Sequence, residues 1–403
     1  MAEVKWKLLA AAVALAAQAM PASAQTKAAG DPIVIGVIED RSGGASFYSQ
    51  ESVKGFKLFI EMMNNSNFLY AKDAVGDKPG ILGRPIQALY EDDENNPNLT
   101  LVKTRRLLEN GAKIIFFLSG SGSTLQGRVV CSEQKILCMA PTNVSSRIVQ
   151  PPNNDFVFTV ASPAELNSGV YLEAWKKANI TKVAYVTDNS ATAKTVADGY
   201  KKLFEKAGIT TAIDEQVETG ARDMVAPLLR IRDAKPDLIF DLVQAAPESA
   251  NLHRTAVKLG ITIPRWGTTS ITAQPKIWEL AGDAINGVIV VDNLAPDNPN
   301  TLAVKAEYQK KCGAEAPYVF LHSVVWDGLM LTKKAAETTA SLDGTKLRDA
   351  VEGMTNFPSA YGQKGYTLSF AKDRHNGASL PGTVIVQFAN RGPNKLWDVY
   401  QPK

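Results

Sequence analysis

The sequence predicts an α/β protein: two doubly wound parallel-sheet lobes joined by a hinge that the chain crosses three times. Three observations carry this reading. Apolar runs such as Ile33-Val34-Ile35-Gly36-Val37-Ile38 are continuous rather than alternating, the pattern of a parallel strand covered on both faces. They alternate regularly with stretches of helical period, which places helices over both faces of a sheet. The strand–helix series then starts afresh after the Pro151-Pro152-Asn153-Asn154 turn, so a single sheet does not account for it. Length agrees, because 403 residues are enough for two domains.

The first 24 residues belong to neither lobe. Lys5 and Lys7 give a basic start, Leu8 to Ala19 is an apolar run, and Pro21-Ala22-Ser23-Ala24 closes it with small residues. This is the pattern of a secretory signal peptide, residues 1–24, cut after Ala24. The run is shorter than the ~20 residues that cross a ~30 Å bilayer core, so it is not read as an anchor. No later segment is long and apolar enough to span, and the mature chain is expected to be exported and soluble.

In the first lobe, Ile33–Ile38 reads as a strand. Glu51–Asn64 reads as a helix with Val53, Phe56, Phe59, Ile60 and Met63 on one side. Pro85–Tyr90 is a strand, Asn98–Glu109 a helix, and Lys113–Leu118 a strand. Ser123–Gln134 is helical and Ile136–Ala140 is strand again. Phe156–Val160 follows as a strand at the first passage between lobes.

In the second lobe, helices are expected at Pro163–Lys177, Thr192–Ala207, Asp223–Asp233 and Pro247–Leu259. Between them lie strands Lys182–Thr187, Thr211–Val217 and Asp237–Val243, with a short strand at Pro264–Gly267. Pro227 falls in a first helical turn, where proline is tolerated. Gly287–Val291 opens a third stretch, followed by helices Asn300–Cys312 and Val319–Thr338. Tyr366–Phe370 and Thr383–Phe388 return to strand. Passages between the lobes are expected near Phe158–Ala161, Val290–Asp292 and Pro358–Gly362. Lobe 1 then holds 31–160 plus 292–358, and lobe 2 holds 161–291 plus 359–403.

Composition removes several functions. With 44 basic and 41 acidic residues the formal net charge is +3, and no Lys/Arg run marks a nucleic-acid surface. Three histidines, His253, His322 and His375, are scattered, and each is read as a surface or packed residue. No metal and no cofactor are expected. Nucleophile elbow, zinc-protease, P-loop and dinucleotide fingerprints are all missing, so no catalytic residue is assigned. Cys131 and Cys138 lie on a predicted helix and the strand after it. Export makes a bond between them chemically possible. The adopted reading is two small buried apolar side chains, with Cys312 free. Asp92-Asp93-Glu94 reads as a solvated loop, and Asn95-Asn96-Pro97-Asn98 after it as a helix entry.

The informative segment is Ser119-Gly120-Ser121-Gly122-Ser123-Thr124, between a buried strand and a helix. Glycines admit a close ligand, hydroxyls donate hydrogen bonds, and free N–H groups at a helix start favour an anion. In open α/β sheets, ligands collect beyond the carboxyl ends of strands. The equivalent loops are Arg41-Ser42-Gly43-Gly44-Ala45-Ser46-Phe47-Tyr48 and Pro141-Thr142-Asn143-Val144-Ser145-Ser146. Together they suit a small ligand with one anionic and one apolar end.

In order and spacing, these landmarks resemble the periplasmic solute-binding proteins of ABC uptake systems, in the branched-chain amino acid (Leu/Ile/Val-binding) class. The landmarks are Ile35-Gly36 with Ser42-Gly43 and Tyr48 after it, Gly55, Ile81-Leu82-Gly83-Arg84-Pro85-Ile86, Tyr90-Glu91-Asp92-Asp93, Ser121 to Thr124, and Ile136 to Pro141. The resemblance covers essentially the whole mature chain. It implies a periplasmic-binding-protein type I fold and a non-catalytic monomer in the periplasm. That monomer would close on a small molecule and deliver it to a membrane permease and its ATPase. By position it places the ligand carboxylate on Ser121, Gly122 and Ser123, with Thr142 and Asn143 behind it. Tyr48 and Tyr318 would line the side-chain pocket.

Two departures from the family bear on the ligand. Thr192, after Asp188-Asn189, stands where the family has a tyrosine. Thr269, in Gly267-Thr268-Thr269-Ser270, stands where the family has the acid that neutralises an α-ammonium. A cysteine common in the family near the acidic turn is replaced by Asn95. Arg41 stands where an apolar residue is usual, either facing the cleft as partner for an acid or lying at the loop's rim; His322 is a weaker candidate of the same kind. The expectation is a small carboxylate ligand, amino acid-type or an aromatic or aliphatic acid, and the departures favour one with an apolar or aromatic body and no ammonium anchor. An exported sensor docking on a receptor, or a binder of amide or urea-type ligands, would use the same fold.

Overall fold

The computed structural model describes residues 27–189, 191–218, 220–221 and 223–402, leaving aside the side chains of 191, 192 and 195. The expected signal segment lies outside the described residues. The chain begins with β1 (Ile33–Glu39), α1 (Ser46–Asn64), α2 (Lys72–Val75), β2 (Ile86–Asp92) and α3 (Pro97–Glu109). Then come β3 (Ile114–Phe117), α4 (Ser121–Gln134), β4 (Cys138–Met139) and β5 (Val157–Phe158). These five strands form one all-parallel sheet in the order β2-β1-β3-β4-β5.

The second sheet is built from α5 (Ala164–Lys177), β6 (Lys182–Asp188), α6 (Ala191–Lys206), β7 (Thr210–Val217), α7 (Val225–Ala234) and β8 (Leu238–Asp241). It continues through α8 (Ala246–Lys258), β9 (Arg265–Gly267), α9 (Thr269–Ala273), α10 (Pro275–Ala281) and β10 (Ile289–Asp292). The chain returns to the first lobe for α11 (Pro299–Cys312), α12 (Phe320–Thr339), α13 (Gly344–Glu352) and the ribbon β11 (Phe357–Pro358) and β12 (Thr367–Leu368). It ends on β13 (Val384–Ala389) and β14 (Gly392–Leu396), antiparallel additions that make the second sheet β14-β13-β10-β9-β8-β6-β7.

Central strands are buried throughout, as β3, β8 and β10 show, while the edge strands β2 and β7 are partly open. Burial on both faces is what their unbroken apolar sequence encodes. One face of the first sheet packs on α1 and α12, where Phe59 meets Trp326 edge-on at 5.2 Å. Gly55 permits that approach, because a Cβ there would lie 3.0 Å from the His322 ring. All three histidines are packed: His253 and His322 are fully buried, and the His375 ring stacks on Phe158 at 4.1 Å.

Three passages join the lobes, and polar side chains tie them together. Asn293 donates to Ser162 Oγ (3.0 Å) and to the Gly382 carbonyl (2.9 Å), so one amide touches all three segments. Asn376 donates to Thr159 Oγ1 (2.7 Å) and the Ala161 carbonyl (3.1 Å). The third passage requires a correction, since it lies beyond Pro358–Gly362. Tyr366, Leu368 and Phe370 join the first lobe's core, β12 pairs with β11, and the second sheet resumes only at Val384.

The cysteines also differ from expectation. Cys131 and Cys138 are disulfide-bonded with their Cα atoms 6.2 Å apart, and Cys312 is free and exposed. The end of α4 and the adjacent β4 bring the two side chains into bonding reach, which a seven-residue spacing does not announce.

Candidate functional site

Four loops meet at the carboxyl ends of β1 to β4. Asp40, 1% exposed, organises the first by accepting from the N–H groups of Ser42 (3.1 Å), Gly43 (2.5 Å) and Ala45 (2.7 Å). Its own N–H donates to Ser49 Oγ at 2.8 Å, which fixes the first turn of α1 and hence Tyr48. The loop after β2 is not the solvated stretch expected. Asp93 is buried and accepts from Ser119 Oγ (2.7 Å), Thr100 Oγ1 (2.7 Å) and the Asn95 N–H (2.9 Å). Burial raises its carboxyl above the usual range, against the pull of those donors.

Asn95 sits at φ 54° with its carboxamide laid over Gly120. A Cβ on Gly120 would collide with that amide, so only glycine lets the two loops touch here. Asn95 Oδ1 accepts from Ser123 Oγ at 3.3 Å. Asn143 ties in the fourth loop, accepting from Thr124 Oγ1 (3.0 Å) and donating to the Ser119 carbonyl (2.8 Å). In the middle stands the start of α4. Its N-cap is Gly120 and no side chain caps it. The N–H groups of Ser121, Gly122 and Ser123 therefore face forward as the positive end of a 14-residue helix, an anion-binding arrangement.

Ser121, Gly122, Ser123, Thr142 and Asn143 are thus brought together, although the Ser123 hydroxyl and the Asn143 amide are engaged in holding loops. Arg41 takes the rim alternative, and its place in the ligand shell is withdrawn. Its guanidinium is exposed and held by Glu39 (Nε 2.7 Å, Nη2 2.5 Å), so its charge is already matched. Hydrogen bonding to Glu39 raises its pKa further. Tyr318 is buried, with its hydroxyl on Ser323 Oγ at 2.8 Å and its ring against Tyr308 and His322. His322 Nδ1 accepts from the Val319 N–H (3.1 Å), and Nε2 lies 3.5 Å from Glu51. Burial keeps its pKa below the ordinary value, so it offers no reliable cation.

From the second lobe come Thr269, Gln274 and Asp188. Thr269 is half-buried at the start of α9, beside the capping hydroxyl of Thr268. The Thr192 side chain lies outside the described residues. Sequence reasoning missed Gln274, which is 8% exposed between α9 and α10. Its side chain reaches across the cleft to the Tyr48 hydroxyl, while its Nε2 donates to the Gln244 carbonyl (3.3 Å). Burial pushes the Tyr48 phenol up to about 12. Asp188, at the end of β6, spends one oxygen on the N–H groups of Gln244 (2.6 Å) and Ala245 (3.2 Å).

One buried trio has the composition of a hydrolase site but not its connectivity. Ser249 Oγ donates to Asp241 Oδ2 (2.6 Å), and His253 Nε2 lies 3.2 Å from the same oxygen. The hydroxyl meets the carboxylate rather than the imidazole, and all three residues are inaccessible, so no nucleophile is activated. Among the described residues, no group of three or more His, Cys, Asp or Glu could hold a metal ion.

Two lobes, a three-segment hinge and an uncapped helix start in the cleft define a binding protein that closes around a solute. The chain belongs to the periplasmic binding protein family, whose profile matches residues 32–386. Its relatives are solute-binding proteins rather than enzymes. The Leu/Ile/Val-binding protein BraC3 of Rhizobium johnstonii is 23% identical over 340 residues, covering 83% of this chain and 87% of that one. The Leu/Ile/Val/Thr-binding protein of Salmonella typhimurium is 20% identical, covering 87% of this chain and 93% of its own. In structure, the branched-chain amino acid transporter substrate-binding protein LivJ of Streptococcus pneumoniae, solved with isoleucine, superposes with a TM-score of 0.70. It is 18% identical and covers 90% of this chain and 97% of its own. The leucine-binding protein LivK of Thermotoga maritima gives 0.68 at 20% identity, covering 89% and 96%.

Proposed function

We propose that this protein is the exported solute-binding component of an ABC uptake system. In this reading it captures a small carboxylate with an apolar or aromatic body, lacking an ammonium anchor, and presents it to a membrane permease. The observation that carries the reading is the open N-terminus of α4, unmet by any side-chain cap and set opposite a second-lobe wall made of Thr269 and Gln274. The carboxylate would take the N–H groups of Ser121 to Ser123 and the Ser121 hydroxyl, with Thr142 beside them. Tyr48 and Tyr318 would flank the body. Thr192 and Thr269 would complete the second-lobe wall, where a hydroxyl or ring is accommodated at no electrostatic cost. An ammonium buried against that wall would lose its hydration without a counter-charge, a loss of several kcal/mol.

Relatives named for binding Leu, Ile and Val point to branched-chain amino acids, which makes the experiment a direct contest. Leucine and phenylalanine are titrated into the purified protein by calorimetry, alongside 4-methylpentanoate and 3-phenylpropanoate, which differ only by the missing amine. The plain acids are expected to bind at least tenfold more tightly than their amino counterparts. Tight binding of the amino acids alone would overturn the reading of Thr269 and hand the counter-charge to another residue. The start of the mature chain at Gln25 is checked by N-terminal sequencing of the exported protein.

A further inference from the structure

A cavity of about 520 Å³ lies where the two lobes meet beside the hinge, and it does not include the first turn of α4. Its walls come from α10, the segment after β10, α11, the loop before α12 and the β13–β14 turn. Apolar side chains, among them Pro275, Trp278, Leu302 and Tyr318, share the lining almost evenly with polar groups. The rim carries Glu279, Glu315, Lys305 and Arg391, two charges of each sign that favour neither anion nor cation. Leu302 is 45% exposed, a large apolar side chain that the fold itself leaves uncovered.

The cavity borders residues of the candidate ligand cleft. Tyr318, which the family resemblance assigns to the side-chain pocket, lines the cavity, and Pro275 directly follows Gln274, whose side chain meets the Tyr48 hydroxyl. Tyr48 stands on the first lobe and Gln274 on the second, so their contact forms a partition that parts when the lobes open. The volume falls within the ~300–1,000 Å³ of pockets that enclose drug-sized ligands, far more space than a branched aliphatic side chain needs.

From this adjacency we infer that the chamber between α10, α11 and the β13–β14 turn is a distal subsite for the tail of the ligand whose carboxylate rests on α4. The inference rests on the function proposed above and narrows it: the preferred ligand is a carboxylate with an extended apolar chain or an aryl group on a spacer. The tail passes between Tyr48 and Gln274 and covers Leu302 and Trp278. Because both lobes line the chamber, filling it adds contacts that exist only in the closed form.

The test is a length series titrated by calorimetry: 3-phenylpropanoate, 4-phenylbutanoate and 6-phenylhexanoate, with 6-phenylhexanol as the same body without the carboxylate. Affinity should rise along the acids, by up to about fourfold per newly buried methylene, and the alcohol should bind at least tenfold more weakly than the longest acid. Leu302→Glu, on an exposed position outside the core, should remove the gain for the long acid and leave the short acid unchanged. Leu302→Met should keep it. Short-acid binding without any gain in length, an unchanged long-acid affinity in Leu302→Glu, or an alcohol as tight as the acid would each overturn the distal subsite while leaving the α4 site standing. Failure of every carboxylate to bind would overturn the α4 reading itself, and the subsite with it.

Discussion

Asn143 makes two hydrogen bonds of opposite sense, accepting from Thr124 and donating to the Ser119 carbonyl, at a position 4% exposed. Asn143→Ala would leave the buried Ser119 carbonyl without this donor and the Thr124 hydroxyl with the Gly120 carbonyl (3.1 Å) as its remaining partner, a loss of about 1–3 kcal/mol. Chemical denaturation should register that loss. The affinity for the carboxylate ligand should fall as well, because the loop holding Thr142 is no longer pinned beside α4. Undiminished affinity in a folded variant would show that the fourth loop takes no part in the site. The place of Ser121 to Ser123 at the start of a helix was legible at this scale, because a Gly/Ser loop between a strand and a helix has a direct physical reading. Asp40, Asp93 and Gln274 were not. An acidic or amide side chain in a loop looks solvated in one dimension, and only the fold reveals that Asp93 is buried under Ser119 and Thr100. The pairing of Arg41 with the buried Glu39 two residues earlier was hidden for a related reason, since one dimension does not show which acid a loop arginine meets.

Elements with enough residues to display a period were legible, and shorter ones were not. The 19 residues of α1 put the expected Val53, Phe56, Phe59, Ile60 and Met63 into the core, and the buried strands match their unbroken apolar runs. By contrast α9 and α10, with five and seven residues, are too short for a 3.6-residue period to emerge. Those two helices carry Thr269, flank Gln274 and support the wall opposite α4, so the second half of the site stayed hidden with them. The disulfide between α4 and β4 belongs to the same scale, because it joins the far end of α4 to the next strand. Closing so short a loop restricts the unfolded chain by about 2–3 kcal/mol in the chain-entropy account. Both cysteines are buried, so the clean variant is Cys131→Ala/Cys138→Ala rather than serine. Its unfolding free energy should drop by about that amount in urea. Under reducing conditions the difference between wild type and variant should shrink sharply; a gap that persists with full reduction would assign the stabilisation to packing instead of the bond.

At the scale of the whole molecule, closure depends on three segments that polar side chains hold in register, and two buried acids stand among them. Asp292 ends β10 and accepts from the Asn293 N–H at 2.7 Å. Asp327, on α12, holds the first-lobe chain ahead of the third passage at Ser359 Oγ (2.6 Å) and the Ala360 N–H (2.8 Å), and accepts from Tyr70 (3.1 Å). Burial pushes each carboxyl up to about 7, further than its hydrogen bonds pull it down. An acid whose folded pKa exceeds its unfolded value of ~4 holds its proton longer in the native state. Its stabilisation is therefore complete below about pH 4 and is lost as the pH rises towards 7, after which the curve is flat. His322 acts in the opposite sense, since burial keeps it neutral and acid below its unfolded pKa of ~6.5 favours the open chain. The raw stability profile mixes these effects, so the useful quantity is the difference between wild type and Asp292→Asn. The asparagine keeps a carbonyl acceptor for the Asn293 N–H but cannot ionise. Urea unfolding between pH 4 and 8 should show the wild type's advantage over this variant shrinking as the pH rises to about 7 and then holding constant. An advantage that grows with pH would mean that Asp292 is ionised in the folded hinge and held there by its donors.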